Sequence, residues 1–228
     1  MRWATPIVGG VAGVLTLGFA AHAESPWYVS GSVGDYFRVA STTATTFFKI
    51  DDPSITTNGT NHFSFDQGVM ANVAVGYRLT PNVRLEEELG YSNDVASAIN
   101  PVASSPDFPR LDGRTFSRQS GADYSRFTAT VNGFYDFRNI SSRFTPFVGI
   151  GGGVSDGRRT TGHFADADGD PFTGKGDSFV AGVGLLEAGL NVGLSKRWSI
   201  QPAYRYVHIF KTGADDAHVA DLGLRYSF

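Results

Sequence analysis

Ten charged side chains interrupt the apolar segments of this sequence at alternate positions, and their types and spacing could do chemistry. They are Arg78, Arg84, Glu86, Glu88, Arg126, Asp136, Glu187, Arg205, Asp221 and Arg225. A spacing of two places such residues on one face of extended strands. All five cations are arginine, whose planar guanidinium bonds carboxylates in pairs and suits a crowded, partly buried ion-pair network. The same set could instead line a path for a solute.

A second group of carboxylates lies in a polar stretch. Asp166, Asp168 and Asp170 alternate, and Asp177 follows at a distance, as in a calcium-binding loop. Such a loop needs glycine where Pro171 stands, and it closes with glutamate rather than aspartate. The pattern therefore favours a solvated acidic loop, with calcium as the alternative.

A histidine and a serine form the third constellation. His62 and Ser64 are two residues apart, which resembles the His-x-Ser pair of barrel enzymes that deacylate lipid A. No acidic residue can be assigned to orient His62, as a histidine-activated hydroxyl requires. The other histidines, such as His163, His208 and His218, are scattered. We therefore expect a protein that is not an enzyme, with no cofactor and no catalytic or metal-binding residue.

Eight segments with alternating polarity must position these residues. They run over Trp27 to Phe37, Gly68 to Leu79, Val83 to Ser92, Tyr124 to Phe137, Phe144 to Val154, Phe179 to Leu194, Trp198 to His208 and Ala217 to Phe228. Period two indicates β-strands, and the lengths are near the roughly 9–11 residues that a tilted strand needs to cross a membrane. The sequence predicts an all-β fold, an eight-stranded antiparallel up-and-down transmembrane barrel.

The connections between the segments also alternate. Those after the second, fourth and sixth segments are short, whereas Arg38 to Gln67, Asn93 to Asp123 and Ser155 to Ser178 are long and polar. Short turns at one end and long loops at the other are typical of outer-membrane barrels. Phe47 to Ile50 could extend the first hairpin above the membrane, and a ten-stranded barrel is the alternative.

The charged set decides which face is inside. The opposite set of positions is apolar, with residues such as Val73, Leu89, Val131 and Ile150. Eight strands leave an interior that side chains can just fill, so we expect the five arginines and five acids inside and the apolar set in lipid. Glycines on the inner face would leave room for long side chains from the opposite wall. Glu87 and Asp35 fall in the outward set, and for Glu87 we expect either a bulge or a place near the interface.

The last segment ends on an alternating run. Leu222, Leu224, Tyr226 and Phe228 are its large apolar residues. This end resembles the closing strand of bacterial outer-membrane β-barrels, which finishes on phenylalanine and is read by the barrel-assembly machinery. The resemblance implies that these four residues are an assembly signal.

Further stretches extend the resemblance over nearly the whole chain. VRLEEELGYS, TVNGFYDF, TPFVGIGGGV, WSIQPAYRYV and LGLRYSF are similar to small OmpA-type or opacity-type barrels of proteobacteria. The resemblance implies an outer-membrane protein with both termini in the periplasm and long extracellular loops. It implies contact with outer-membrane lipid and lipopolysaccharide, an envelope-structural role and at most weak conductance. We expect a monomer.

The long loops leave a second function open, namely surface recognition of a host or environmental ligand. They hold Phe47, Phe48, Ile50, Phe108 and Phe116, which could anchor a partner or pack on each other. Arg158, Arg159 and Lys175 could touch lipopolysaccharide phosphates.

The start of the chain looks like a secretory signal peptide. Arg2, a short apolar run from Ile7 to Ala21 and the Ala21-His22-Ala23 site predict residues 1–23 as signal peptide and 24–228 as the barrel domain. An anchoring helix is the alternative. The chain has no cysteine, and its net charge of −3 gives no indication of nucleic-acid binding.

Overall fold

The computed structural model describes residues 25–39, 41–48, 54, 56–103, 114–138, 143–211 and 215–228. The predicted signal peptide, Ile50 and Phe108 lie outside these residues. Thirteen strands are β1 Trp27–Arg38, β2 Ser41–Phe48, β3 Thr56–Phe65, β4 Gly68–Arg78, β5 Val83–Ala103, β6 Phe116–Gly121, β7 Asp123–Asp136, β8 Phe144–Arg159, β9 Gly162–Ala165, β10 Pro171–Gly174, β11 Asp177–Gly193, β12 Trp198–Phe210 and β13 Asp215–Ser227. No helix in this part of the chain is long and apolar enough to cross a membrane.

Eight of the strands close into a ring. Its order is β1-β4-β5-β7-β8-β11-β12-β13, every neighbouring pair is antiparallel, and β13 pairs with β1 to complete it. The predicted all-β barrel of eight strands is confirmed. The ten-stranded alternative is wrong for the described residues, because β2 and β3 pair with each other and with the far part of β5, outside the ring.

The remaining strands form a second sheet at the end of the barrel that carries the long connections. We call it the outer sheet; its order is β2-β3-β5-β6-β9-β10, and β5 belongs to both sheets. The predicted loop from Asn93 to Asp123 was therefore too long, because β5 continues to Ala103. We call this end of the barrel the loop end and the opposite one the turn end.

The turn end is closed by short hydrogen-bonded connections. The Leu79 N–H donates to the Val83 carbonyl at 2.9 Å, and Thr80 Oγ1 accepts from the Val83 N–H at 3.0 Å. A threonine hydroxyl that bonds the backbone stabilises a turn in this way. The Leu194 N–H donates to the Trp198 carbonyl at 2.9 Å in the same arrangement.

The two faces of the ring follow the predicted pattern. Large apolar side chains point outward and stay exposed, among them Val73, Leu89, Val131 and Ile150. Arginines and carboxylates point inward and are buried. Glu87 is exposed on the outer face between Val75 and Val131 of the neighbouring strands, and the register on both sides of it is continuous. The bulge that would have turned Glu87 inward is thus absent.

Glycines on the inner face lie beside large residues of the next strand. Gly76 pairs with Tyr28, and Gly149 pairs with Phe134. A Cβ atom at either glycine would collide with the paired ring. The space above these glycines is filled by the ring of the paired residue on the adjacent strand, not by side chains of the opposite wall as predicted.

Candidate functional site: the barrel lumen

The turn end of the lumen is filled by a charged network around Glu86, which we call the lower cluster. Arg84 and Arg225 both contact the Glu86 carboxylate, the latter at 3.1 Å, and the Tyr28 hydroxyl donates to it at 2.6 Å. Arg84 Nε also lies 3.1 Å from Asp136. Two guanidiniums and two carboxylates therefore balance each other in a place sealed from solvent.

Aromatic rings complete the lower cluster. The guanidinium of Arg84 lies 3.7 Å from the ring centre of Phe134 and 4.8 Å from that of Phe147. The Arg225 guanidinium lies 4.3 Å from the ring of Tyr28. Cation–π contacts of this kind are stronger where water is excluded. They fix both arginines against the wall.

A second network, the middle cluster, lies further along the lumen and centres on Arg205 of β12. Its guanidinium is 2.6 Å from Glu88, 3.0 Å from Glu187 and 3.3 Å from Asp221. All four side chains are buried. Because β5 lies four strands from β12 in the ring of eight, the Arg205–Glu88 contact crosses the lumen from one wall to the opposite one.

Eight of the ten predicted charged residues thus form two ion-pair networks, and two do not join them. Arg78 lies at the turn end, where it donates to Ser227 Oγ at 3.5 Å, and within the described residues it makes no ion pair. Arg126 lies toward the loop end and donates to the hydroxyl of Tyr36.

Toward the loop end the lumen holds a cluster of apolar side chains, which the sequence did not predict. We call its buried residues the apolar plug; they are Tyr36, Met70, Val183, Val207, Ile209, Ala217 and Val219. They occupy inward positions on strands that also carry inward charged residues. The signal available in the sequence was therefore the change from charged to apolar side chains along one face of each strand.

The sequence also did not predict a buried ion pair at the loop end of the barrel interior. Arg38 forms an ion pair with Asp94 at 2.9 Å, and its guanidinium lies 4.4 Å from the ring of Phe65 and 4.0 Å from that of Tyr124. Both charged residues are buried. The sequence assigned them to loops, although Arg38 keeps the spacing of two from Tyr36.

These groups leave little open space. Around the middle cluster the lumen offers about 20 Å³ to the centres of water molecules. A volume of that size holds about one water molecule. The ion pairs connect opposite walls of the barrel. A hydrated ion can therefore pass only if the two ion-pair networks move.

The acidic stretch of the outer sheet is organised by an arginine. Asp168 and Asp170 lie 3.3 Å and 3.0 Å from the guanidinium of Arg114, which also contacts Asp166. Asp177 instead faces Arg159 at 3.4 Å. A guanidinium thus occupies the point where the three carboxylates of the calcium alternative converge. No group of three or more metal-binding side chains occurs in the described part of the chain.

The charge cluster at Arg114 shifts two pKa values. Partial desolvation acts to raise the pKa of Asp166, but hydrogen bonds from the Asp170 and Asp168 N–H groups and from Arg114 outweigh it, so the pKa is lowered. Desolvation acts to lower the pKa of Arg114, and its contacts with Asp166 and Asp170 raise it instead. Both shifts favour the charged forms.

The histidine–serine pair lies on the exposed face of β3, in the outer sheet. His62 Nδ1 shares a hydrogen bond of 2.8 Å with Thr42 Oγ1. The side-chain partner of the His62 ring is therefore a neutral hydroxyl on β2. The pair lies in the first long connection, between β1 and β4.

The predicted assembly residues line the outer face of the closing strand. Leu222, Leu224 and Phe228 are exposed there, and Tyr226 packs on Trp198 with ring centres 4.9 Å apart. Asp221, Gly223 and Arg225 alternate with them and point inward.

Comparison with known proteins gives a family match and a shared fold. The family model described as outer membrane protein beta-barrel domain matches residues 9–228. The chain is similar to the outer membrane protein OprG from Pseudomonas aeruginosa, with 13% identity over 90% of this chain and 97% of that one and a TM-score of 0.53. It is also similar to Neisserial surface protein A, with 14% identity, coverage of 90% and 98%, and a TM-score of 0.50. A search of curated protein sequences finds no match.

Proposed function

Because the chain belongs to the outer membrane protein β-barrel family, we propose that it is an envelope-structural barrel with at most weak, unselective conductance. The protein is located in the bacterial outer membrane. In barrels of this family short turns face the periplasm and long loops face outward, so the turn end is periplasmic and the outer sheet extracellular. The apolar outer face contacts outer-membrane lipid, and exposed Arg158 and Lys175 of the loop end are suited to lipopolysaccharide phosphates.

The contact that carries this proposal is the bond between Arg205 and Glu88, which ties opposite walls at 2.6 Å. The lower cluster closes the lumen on one side of it and the apolar plug on the other. An ion would have to break charge-assisted hydrogen bonds and then cross an apolar layer. The ten charged residues predicted from the sequence are five positive and five negative, which supports low selectivity.

Recording in planar bilayers tests the proposal. We expect rare openings of low conductance with little preference between anions and cations. The double variant Arg205→Ala with Glu88→Ala should open more often, because it removes the tie across the lumen. Arg118→Ala with Gln119→Ala on the exposed outer strand β6 is the matched control and should behave as wild type. A stable, large and selective current from the unmodified protein would make solute transport the leading function.

A second candidate function is surface recognition, and the outer sheet favours it. The three long connections form an ordered six-stranded sheet, and Phe116 packs inside it with Phe63, Ile99 and Phe164. Phe116 is therefore unsuited as a contact anchor, whereas His62 and Gln119 are exposed on the sheet. A preorganised surface binds a partner at a lower entropic cost than a flexible loop does.

Cell adhesion to a panel of host and environmental surfaces distinguishes the two functions. His62→Ala with Gln119→Ala should lower adhesion if the sheet binds a ligand, and Lys196→Ala at the periplasmic end is the control. Substitution is preferable to deleting residues 97–118, because that deletion would remove Ile99 and Phe116 and collapse the sheet. Unchanged adhesion would argue against surface recognition by these residues and leave the structural role as the proposed function.

The closing strand supports a further part of the proposal, recognition by the barrel-assembly machinery. Its outward residues Leu222, Leu224, Tyr226 and Phe228 form an apolar stripe on the outer face of the barrel. Deleting Phe228 should lower outer-membrane levels and raise periplasmic degradation. We also propose that residues 1–23 are removed, and amino-terminal sequencing of envelope protein should then start at Glu24.

A further inference from the structure

A cavity opens at the periplasmic end of the barrel, separate from the two lumen clusters. It offers about 320 Å³ to the centres of water molecules, against about 20 Å³ at the middle cluster. We call it the basic mouth, and its charged lining residues are Arg78, Arg138, Lys196 and Arg197. They come from the end of β4 and from the turns that follow β7 and β11.

The charges of the basic mouth are not balanced within it. None of the described residues that line the cavity is acidic. Asp136, on the last position of β7, is engaged by Arg84 of the lower cluster at 3.1 Å. Several like charges around one concave, partly desolvated space raise the local concentration of anions.

The uncharged lining residues supply hydrogen bonds. Hydroxyl groups come from Thr145, Ser195, Ser199 and Ser227. Arg78 Nε, a donor, is buried in the wall without a hydrogen-bond partner among the described residues. Arginine and lysine can thus act together with hydroxyl donors around one ligand, a combination that suits phosphate oxygens.

We propose that the basic mouth binds a phosphate group on the periplasmic side of the membrane. The guanidinium of Arg78 lies on the inner side of the site, and Arg138 and Lys196 lie at its rim, where they make no ion pair within the described part of the chain. The phosphate belongs either to an anionic phospholipid of the inner leaflet or to a soluble periplasmic anion. Both sources present the same oxygens to the site.

Titration with inorganic phosphate tests the proposal on the mature protein in a neutral maltoside detergent. Amide NMR spectra at constant ionic strength should show saturable shifts centred on Asn191, Ser199 and Ser227. The variant Arg138→Gln with Lys196→Gln should weaken binding at least about tenfold, because a tenfold change corresponds to about 1.4 kcal/mol, a modest value for two charge-assisted contacts. Arg118→Gln with Lys211→Gln removes the same charge from the extracellular end and should leave the affinity unchanged.

Nanodiscs then separate the two sources of phosphate. If phosphatidylglycerol in a phosphatidylcholine disc shifts the same amides and weakens binding of added phosphate, the site takes a lipid headgroup. If it leaves both unchanged while inorganic phosphate still saturates, the site takes a soluble anion. Shifts that never saturate, or that are lost equally in both double variants, would overturn the proposal without bearing on the conductance of the barrel.

Discussion

Two arginines in this protein each face three carboxylates, one in the barrel lumen and one in the outer sheet. Arg205 meets Glu88, Glu187 and Asp221, and Arg114 meets Asp166, Asp168 and Asp170. The two arginines differ in their exposure to solvent: the side chain of Arg205 is 5% exposed and that of Arg114 is 32% exposed. The same chemical groups at similar distances therefore contribute differently to stability, because water screens the contacts of Arg114 with Asp168 and Asp170 and does not reach those of Arg205.

Strand β5 shows the same change of surroundings along one element. In the ring its buried face carries Arg84, Glu86 and Glu88, and its exposed face carries Leu85 and Leu89. Beyond the ring the buried residues are Ala96 and Ile99, which pack in the outer sheet. Where lipid surrounds β5, its outward face is apolar. Where water surrounds β5, its buried face is apolar. The solvent, not the strand, decides which face is polar.

The largest expected effect is the loss of stability when Arg205, the buried one of the two arginines, is replaced. Arg205→Gln leaves three carboxylates together in the lumen without their counter-ion, and an uncompensated buried charge costs about 3–5 kcal/mol. Urea unfolding in lipid vesicles should show that loss. Arg114→Gln is the matched control and should change the unfolding midpoint less, since water reaches Asp168 and Asp170 and backbone N–H groups still bond Asp166. Equal effects would mean that the lumen is hydrated.

The faces of these residues could be predicted from the sequence, whereas their partners could not. Period two along a strand fixes whether Arg84 or Leu85 points inward, and this inference uses only neighbouring positions. The contact between Arg205 and Glu88 depends on which strands lie opposite each other in the closed ring. The size and shear of the barrel set that geometry, and no local pattern encodes it.

The outer sheet was hidden for a different reason. Its strands carry few large apolar residues, as in β3 TTNGTNHFSF, or are only four residues long, as in β9 GHFA. Gly and Asn disfavour strands, and no regular apolar alternation marks these runs, so the sequence indicates loops. Their strands form because Phe63, Ile99, Phe116 and Phe164 bury each other. Tertiary packing overrides a local signal that is close to neutral.

The next effect tests whether the outer sheet is stable apart from the barrel. Phe164 is 3% exposed in the apolar cluster of that sheet. Phe164→Ala should cost the sheet about 3 kcal/mol, because it removes a buried ring and leaves a cavity. Hydrogen exchange should then quicken at the amides of β6 and β9 and stay slow in β12 and β13. Faster exchange throughout the ring would show instead that the outer sheet and the barrel unfold together.

A smaller effect is expected when one carboxylate partner of each arginine is neutralised. Glu88→Gln keeps the shape of the side chain but removes one of three charges around Arg205, and Glu187 and Asp221 remain. We expect a loss of about 2 kcal/mol, below that of the arginine variant because the guanidinium keeps two partners. Asp168→Asn is the matched change beside Arg114, and Asp168 is 74% exposed.

Migration of folded and heated barrel on gels, followed across a urea series, compares these two carboxylate variants. The Glu88 variant should lose its folded band at a lower urea concentration than the Asp168 variant. The same midpoint for both would contradict the pairing across the lumen.

The smallest effect is a titration in the outer sheet. Hydrogen bonds from Asp170 and Asp168, together with Arg114, hold the pKa of Asp166 below its ordinary value of 3.8 against the opposing effect of desolvation. A lowered pKa in the folded state means that the ionised carboxylate stabilises the sheet fully above that ordinary value. The contribution is lost as the pH falls through the lower folded pKa. Carboxyl-carbon NMR from pH 6 to pH 2 should therefore give Asp166 a midpoint below 3.8, and Arg114→Gln should move it upward. A wild-type midpoint at or above the ordinary value, or one that Arg114→Gln leaves in place, would show that the guanidinium does not hold this carboxylate in solution.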